Sequence, residues 1–198
     1  SAVEGAASQI VMVLTSIAYM PGFGIALAGT TLVGQSIGAG DRRWAFRLGN
    51  RVIALAALYM GGAGVLLALA GPWLLPLFTG AHDASTPQVI ALASQLLWIA
   101  AVYQLFDGLN MGSGFCLRGA GEAAVPAVLV LALSWLLFLP LAHALSFAPG
   151  QGWFDVLPQF GWGAIGGWAA VVIYVLVLGL VLLARWRSRA WERLHIET

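Results

Sequence analysis

Lysine is absent from this chain, and all nine of its basic residues are arginine. Charge of either sign is scarce, at 9% of 198 residues, where a soluble domain carries roughly 25%. A soluble fold of this length needs polar side chains to coat its outside, and no stretch longer than the final tail supplies them, so a water-coated globule is excluded. A single cysteine, Cys116, excludes an internal disulfide, and a small apolar helix residue is its plainest role. No Gly-rich phosphate loop, metal-ligating cluster or pair of carboxylates is visible, so no cofactor is expected. His143 has no second histidine or cysteine at ligand spacing, and His82 and His195 stand alone, so no metal site is expected either. A net charge of +1 offers nothing for a nucleic acid to bind. The chain opens on Ser1 with no basic segment, short apolar run and cleavage site, so no signal peptide is expected.

What is present is apolar. Hydrophobic residues make up 61% of the chain, and mean hydropathy is +0.90. The reading is an all-α membrane protein whose hydrophobic surface faces lipid. Runs of about 20 apolar residues, enough to cross a hydrocarbon core of roughly 30 Å, occur five times. They cover about 6–37, 44–70, 88–117, 124–147 and 162–186. The first is about 48 Å long if fully helical, too long to cross upright without leaving the lipid. Pro21 is expected to kink it, or with Gly22 and Gly24 to form a hinge.

The arginines orient the bundle. Arg42, Arg43, Arg47 and Arg51 lie at the first connection, Arg118 at the third, and Arg185, Arg187, Arg189 and Arg193 at the C-terminal end. Five crossings bring these three places to one side, which the positive-inside rule makes cytoplasmic. Losing or adding one span would scatter the arginines over both faces, so their segregation supports the count. The N-terminus is then expected outside, preceded by at least one further helix. Residues 1–187 are read as one bundle and residues 188–198 as a cytoplasmic amphipathic tail, in which Trp191 and Leu194 alternate with arginines. An ordinary solvated exit from the membrane is the alternative.

One carboxylate interrupts the third span. Asp107 in "AVYQLFDGLNMGSGFCLRGAG" precedes Arg118 by 11 residues, about 16 Å of helix, which puts it near the midplane. A charge there costs on the order of 2.5 to 3.5 kcal/mol on insertion scales, so it should face protein or a water-filled cavity. At 100° per residue, Tyr103, Gln104, Asn110 and Gly114 fall within about 60° of Asp107, and Trp98, Leu105 and Leu109 lie opposite. Tyr103 is one turn earlier, so its hydroxyl lies within reach of the carboxylate. Such a group suits a proton or cation switch; a packing hydrogen bond across the bundle is the bland alternative.

Thr15, Ser16, Thr30, Thr31, Gln35, Ser94, Gln95 and Ser134 are read as packing residues. Gly34 with Gly38, Gly108 with Gly112, and Gly163 with Gly167 have the spacing that allows close helix approach. Ser113 in "MGSGF", with His143 on the next span, raises an enzyme reading, but Met111 stands where an intramembrane serine protease has glycine. No enzyme is expected.

Two stretches, "GFGIALAGTTLVGQSIGAGDRRWAFRLG" (22–49) and "YQLFDGLNMGSGFCLRGAGEAAVPA" (103–127), resemble the second half of the multidrug and toxic compound extrusion (MATE) family. "SWLLFLPLAHAL" and "GWGAIGGW" continue the likeness in order, so it covers nearly the whole chain. The resemblance implies a twelve-helix, two-lobe transporter of the bacterial inner membrane, of which this chain supplies helices eight to twelve. It also implies export of organic cations and amphipathic drugs in exchange for Na+ or H+. The cation-coupling aspartate of many prokaryotic members carries over to Asp107, and the preceding tyrosine to Tyr103; Gln104 and Asn110 are expected to line the same cavity. The first lobe and helix seven, whose acidic residue Glu4 does not replace, would be missing partners of this chain, which alone should not alternate access. A lipid-linked oligosaccharide flippase of related fold and a non-transporting membrane scaffold remain the alternatives.

Overall fold

Long apolar runs with few breakers become long helices here. The computed structural model describes residues 2–79, 86–152 and 158–193. In order come α1 (Ala2–Gly38), α2 (Arg42–Phe78), α3 (Thr86–Gly119), α4 (Ala124–Leu133), a π-helical turn (Ser134–Phe138), α5 (Leu139–Ser146), α6 (Gly163–Arg187) and a final 3-10 turn (Ala190–Arg193). Five stretches are long and apolar enough to cross a membrane: α1, α2, α3, the continuous Ala124–Ser146 stretch and α6. The chain is a multi-pass, all-α membrane protein.

The connections at the arginine-bearing end are tight for a stated reason. Gly40 and Gly121 adopt φ of +83° and +85°, the left-handed conformation that closes a helix C-terminus. Asp41 N–H donates to Ser36 O and Gly40 N–H to Ile37 O; Glu122 and Gly121 repeat the pattern on Leu117 and Arg118. Asp41 then caps α2, its Oδ1 accepting from Trp44 N–H at 2.8 Å.

α3 lies at the centre, packed along α1, α2 and α6, while α4 and α5 lean mainly on α6. The α2–α3 crossing is closest at two glycines. A Cβ on Gly108 would lie 2.7 Å from Ala56 O and from Ala57 Cα, and one on Gly112 would lie 2.9 Å from Ile53 Cα. Small residues admit this approach where lipid gives no hydrophobic push between helices. The other two small-residue pairs behave differently, because Gly38 faces open space and Gly163 sits at a positive φ of 57°.

One expectation about the helices needs correction. α2 does not stop near residue 70 but runs through Pro72 and Pro76 to Phe78, keeping Leu75 fully buried beside the start of α3. Prolines inside membrane helices are tolerated where neighbours compensate for the lost bond, so they are weaker stop signals than in water. The fourth span contains a π turn: Leu139 N–H donates to Ser134 O, five residues back, just ahead of Pro140. Pro140 has no N–H and would clash with the carbonyl of Leu136 in a regular α-turn, and the wider turn relieves this. α1 continues unbroken through Pro21. Gly22 is a packing site rather than open hinge space, since a Cβ there would come within 2.6 Å of Met60 Cγ, whereas Gly24 meets nothing within 4 Å.

The C-terminal turn is part of the bundle. Trp191 is buried, stacks on Trp186 with ring centroids 5.0 Å apart, and donates its indole N–H to Trp186 O at 3.2 Å. Trp186 in turn stacks on Phe46 and donates to Asn50 Oδ1 at 3.0 Å. Arg42 donates to Glu192 O, closing the clasp onto the start of α2. The described part of the tail is therefore folded back onto the bundle; residues 194–198, with Leu194 and His195, lie outside the described residues, as does His82. Removing a buried tryptophan from such a stack costs about 3 kcal/mol. Trp191→Ala should accordingly speed tryptic cleavage after Arg187 and Arg189 by roughly 100-fold, read by gel on the native protein.

Across the same end, buried Glu122 accepts from Arg185 Nε at 3.1 and 3.2 Å and from its Nη2, joining the α3–α4 turn to α6. At the opposite end Trp168 Nε1–H donates to Ser8 Oγ at 3.2 Å, and Glu4 Oε1 accepts from Ala164 N–H at the start of α6.

Candidate functional site

Asp107 lies nearly two-thirds of the way along α3, toward its arginine end, and is 6% exposed. Its two oxygens are held separately: Tyr103 Oη–H donates to Oδ2 at 3.3 Å, and Asn110 Nδ2–H donates to Oδ1 at 3.2 Å. Both partners come from the same helix, three and four residues away, which is the spacing that brings side chains together on one face. Both are neutral, and among the described residues no arginine or histidine forms an ion pair with Asp107. A carboxylate embedded in a bundle with neutral donors alone keeps the capacity to take up a proton or a metal cation.

Two cavities flank it. A cavity of about 600 Å³ opens between α1, α3, α5 and α6 on the side away from the arginines, lined by Tyr19, Tyr103, Gln104, Phe138 and Trp168. A second, of about 250 Å³, opens toward the arginine end, lined by Tyr19, Phe23, Asn110, Phe115 and Arg118. The expectation of one cavity shared by Tyr103, Gln104 and Asn110 is corrected: Tyr103 and Gln104 line one, Asn110 the other. The separation follows from helix geometry, because Asn110 lies about 10 Å further along the axis than Tyr103. Asp107 is hydrogen-bonded to a wall residue of each cavity.

Gln104 is turned more into α1 than the polar-stripe reading implies. It is 1% exposed, its Nε2–H donates to Thr15 O at 3.3 Å, and its Oε1 has no hydrogen-bond partner among the described residues. The residue that sequence reading missed is Tyr19, on α1, which lines both cavities. It stacks toward Phe23, which meets Phe115 edge-on at 5.3 Å, and Arg118 lies 5.0 Å over the Phe115 ring. No local signal ties a tyrosine of the first span to an aspartate 88 residues later.

Ser113 and His143 are not brought together by the topology. Ser113 is buried about 9 Å from the arginine end of α3, whereas His143 lies near the far end of its span, packed on Phe147. Among the described residues no three His, Cys, Asp or Glu side chains gather at one place. Cys116 is buried, with its thiol 3.8 Å from Gly49 O.

The described chain is thus a polytopic helical bundle with one buried carboxylate flanked by two cavities. The chain matches the MatE family profile over residues 1–143 and belongs to that family. It is 35% identical to a probable multidrug resistance protein NorM of Pseudomonas aeruginosa over 189 residues, covering 92% of this chain and 36% of the relative. It is 32% identical to the multidrug resistance protein NorM of Burkholderia vietnamiensis, covering 85% of this chain and 36% of the relative. A probable NorM of Brucella suis is 28% identical, again over 92% of this chain and 36% of the relative. The chain thus spans little more than a third of the length of these curated relatives.

Proposed function

We propose that this chain is the C-terminal lobe, without its first helix, of a secondary active multidrug exporter of the bacterial inner membrane that exchanges Na+ or H+ for organic cations and amphipathic drugs. The observation that carries the reading is Asp107, buried within the α3 span and hydrogen-bonded to Tyr103 and Asn110, which open onto cavities on opposite sides of it. Cation or proton occupancy at Asp107 changes which hydrogen bonds Tyr103 and Asn110 make. Such occupancy favours one arrangement of the bundle only because the two arrangements differ in affinity for the ion. Aromatic walls at Tyr19, Phe138 and Trp168 suit a flat or cationic drug. The N-terminal lobe and helix seven complete the transport path, the arginine end is cytoplasmic, and residues 1–187 act as one lobe with 188–198 as its cytoplasmic tail.

The flippase alternative calls for several basic groups to hold phosphate. Of the arginines, Arg118 alone lines either cavity among the described residues, at the rim of the smaller one. The test is dye efflux from proteoliposomes containing the full-length protein under an imposed Na+ or H+ gradient. Efflux that follows one gradient and stops when it is collapsed is expected. Efflux indifferent to both, or translocation of a lipid-linked sugar in its place, would overturn the reading.

A further inference from the structure

On α2, Trp44, Arg47 and Arg51 project along one line of the helix, and at 100° per residue Leu55, Leu58 and Trp73 continue it. All six side chains are exposed, so this is the outward face of α2 along its length. Arg51 and Trp73 are 22 positions apart, about 33 Å of helix, which matches a hydrocarbon core of roughly 30 Å. Trp73 then marks one membrane interface and Arg51 the other, with Arg47 about one turn and Trp44 about two turns further out among the headgroups.

The two guanidinium groups are gathered rather than spread. Arg47 Cζ lies 5.3 Å and Arg51 Cζ 5.9 Å from the centroid of the same Trp44 ring. Two like charges share this spot, yet among the described residues neither forms an ion pair with a carboxylate, and Trp44 Nε1–H donates to no protein acceptor. Three other arginines at this end are held by protein acceptors: Arg185 holds Glu122, Arg189 holds Glu192, and Arg42 donates to Glu192 O. Asp41 already occupies the Trp44 backbone N–H, so the place depends on side chains and not on the helix terminus.

We infer that Trp44, Arg47 and Arg51 form a binding site for the phosphate headgroup of an anionic phospholipid in the leaflet at the arginine end. The acyl chains lie down the exposed leucine face below it. Lipid, rather than soluble phosphate, is the occupant because the donors stand at the top of a lipid-length apolar strip. Guanidinium groups suit phosphate through paired N–H donors, and the indole N–H adds a third point of contact.

The test is native mass spectrometry of the full-length protein titrated with phosphatidylglycerol and, separately, phosphatidylcholine. Tighter retention of phosphatidylglycerol is expected, weakened roughly 5-fold by Arg47→Ala or Arg51→Ala and on the order of 30-fold by both. Arg187→Ala, which removes the same charge elsewhere at that end, should change it by less than about twofold. Equal retention of the two lipids, an unchanged double variant, an equal loss in Arg187→Ala, or competition by inorganic phosphate would each refute the site. Photo-crosslinking of the unmodified protein with a headgroup-reactive anionic lipid decides the question even if the variants fold poorly. Adducts on residues 44–51 support the site, and adducts spread evenly over the arginine end refute it.

Discussion

Asp107→Asn should leave the bundle folded and inserted, and should reduce gradient-driven efflux by roughly 5- to 150-fold, the span of typical coupling between two ligands. The fold survives because the substitution is nearly isosteric: the Asn oxygen still accepts from Tyr103, and its NH2 donates to Asn110 once that carboxamide turns to present its oxygen. Nor is a salt bridge broken, since the neighbours of Asp107 are both neutral. What disappears is the one property a carboxamide lacks, the ability to bind a proton or a cation at neutral pH. On the proposed reading the driving ion then has no differential affinity for the two states, and binding that does not discriminate shifts nothing. Tyr103→Phe removes only one donor and leaves the charge. Its effect should be milder, about a 5-fold change in the ion concentration giving half-maximal efflux. Efflux assays at matched folded protein, with circular dichroism as the fold check, separate coupling from stability; a variant that loses fold and efflux together would make Asp107 a packing residue.

The second large effect concerns stability. Gly108→Ala should destabilise the bundle by about 1–3 kcal/mol, and Gly108→Leu by more, because the added carbon meets backbone of α2 rather than a side chain that can turn away. A rigid helix can respond only by moving apart, which also loosens Gly112 against Ile53 one turn further along. Gly24→Ala is the matched control, since nothing lies within 4 Å of that position and alanine is the better helix former by about 1 kcal/mol. Thermal unfolding in detergent should therefore lower the midpoint for Gly108→Ala and hold or raise it for Gly24→Ala. Equal midpoints would mean that the crossing is looser than its glycines imply.

How much of this was legible in the sequence depends on whether the cause is local. Spans are local: twenty apolar residues must be helical in lipid because each backbone group has to be bonded within its own segment. The ends of α3 and α6 accordingly fall within two residues of the sequence reading. The Asp107 cluster was equally legible, because its partners are three and four residues away on one helix. Failures came where a neighbour decides. Pro72 and Pro76 read as breakers, but packing at Leu75 keeps α2 going. Gln104 falls on the polar stripe by angle alone, yet α1 covers it and takes its amide hydrogen bond. Tyr19, the Glu122–Arg185 pair and the fold-back of Trp191 all join residues across helices. No single-helix period encodes such contacts.

The central claim is that drug movement and ion movement are linked through Asp107. Linkage is reciprocal, so a drug gradient must drive the ion as surely as the ion drives the drug. The decisive measurement is ion flux in proteoliposomes of the full-length protein with no ion gradient imposed and dye loaded on one side. Antiport through Asp107 predicts Na+ or H+ movement opposite to the dye in the wild type and none in Asp107→Asn; dye movement without counterflow of either ion, or counterflow undiminished in the variant, would contradict it.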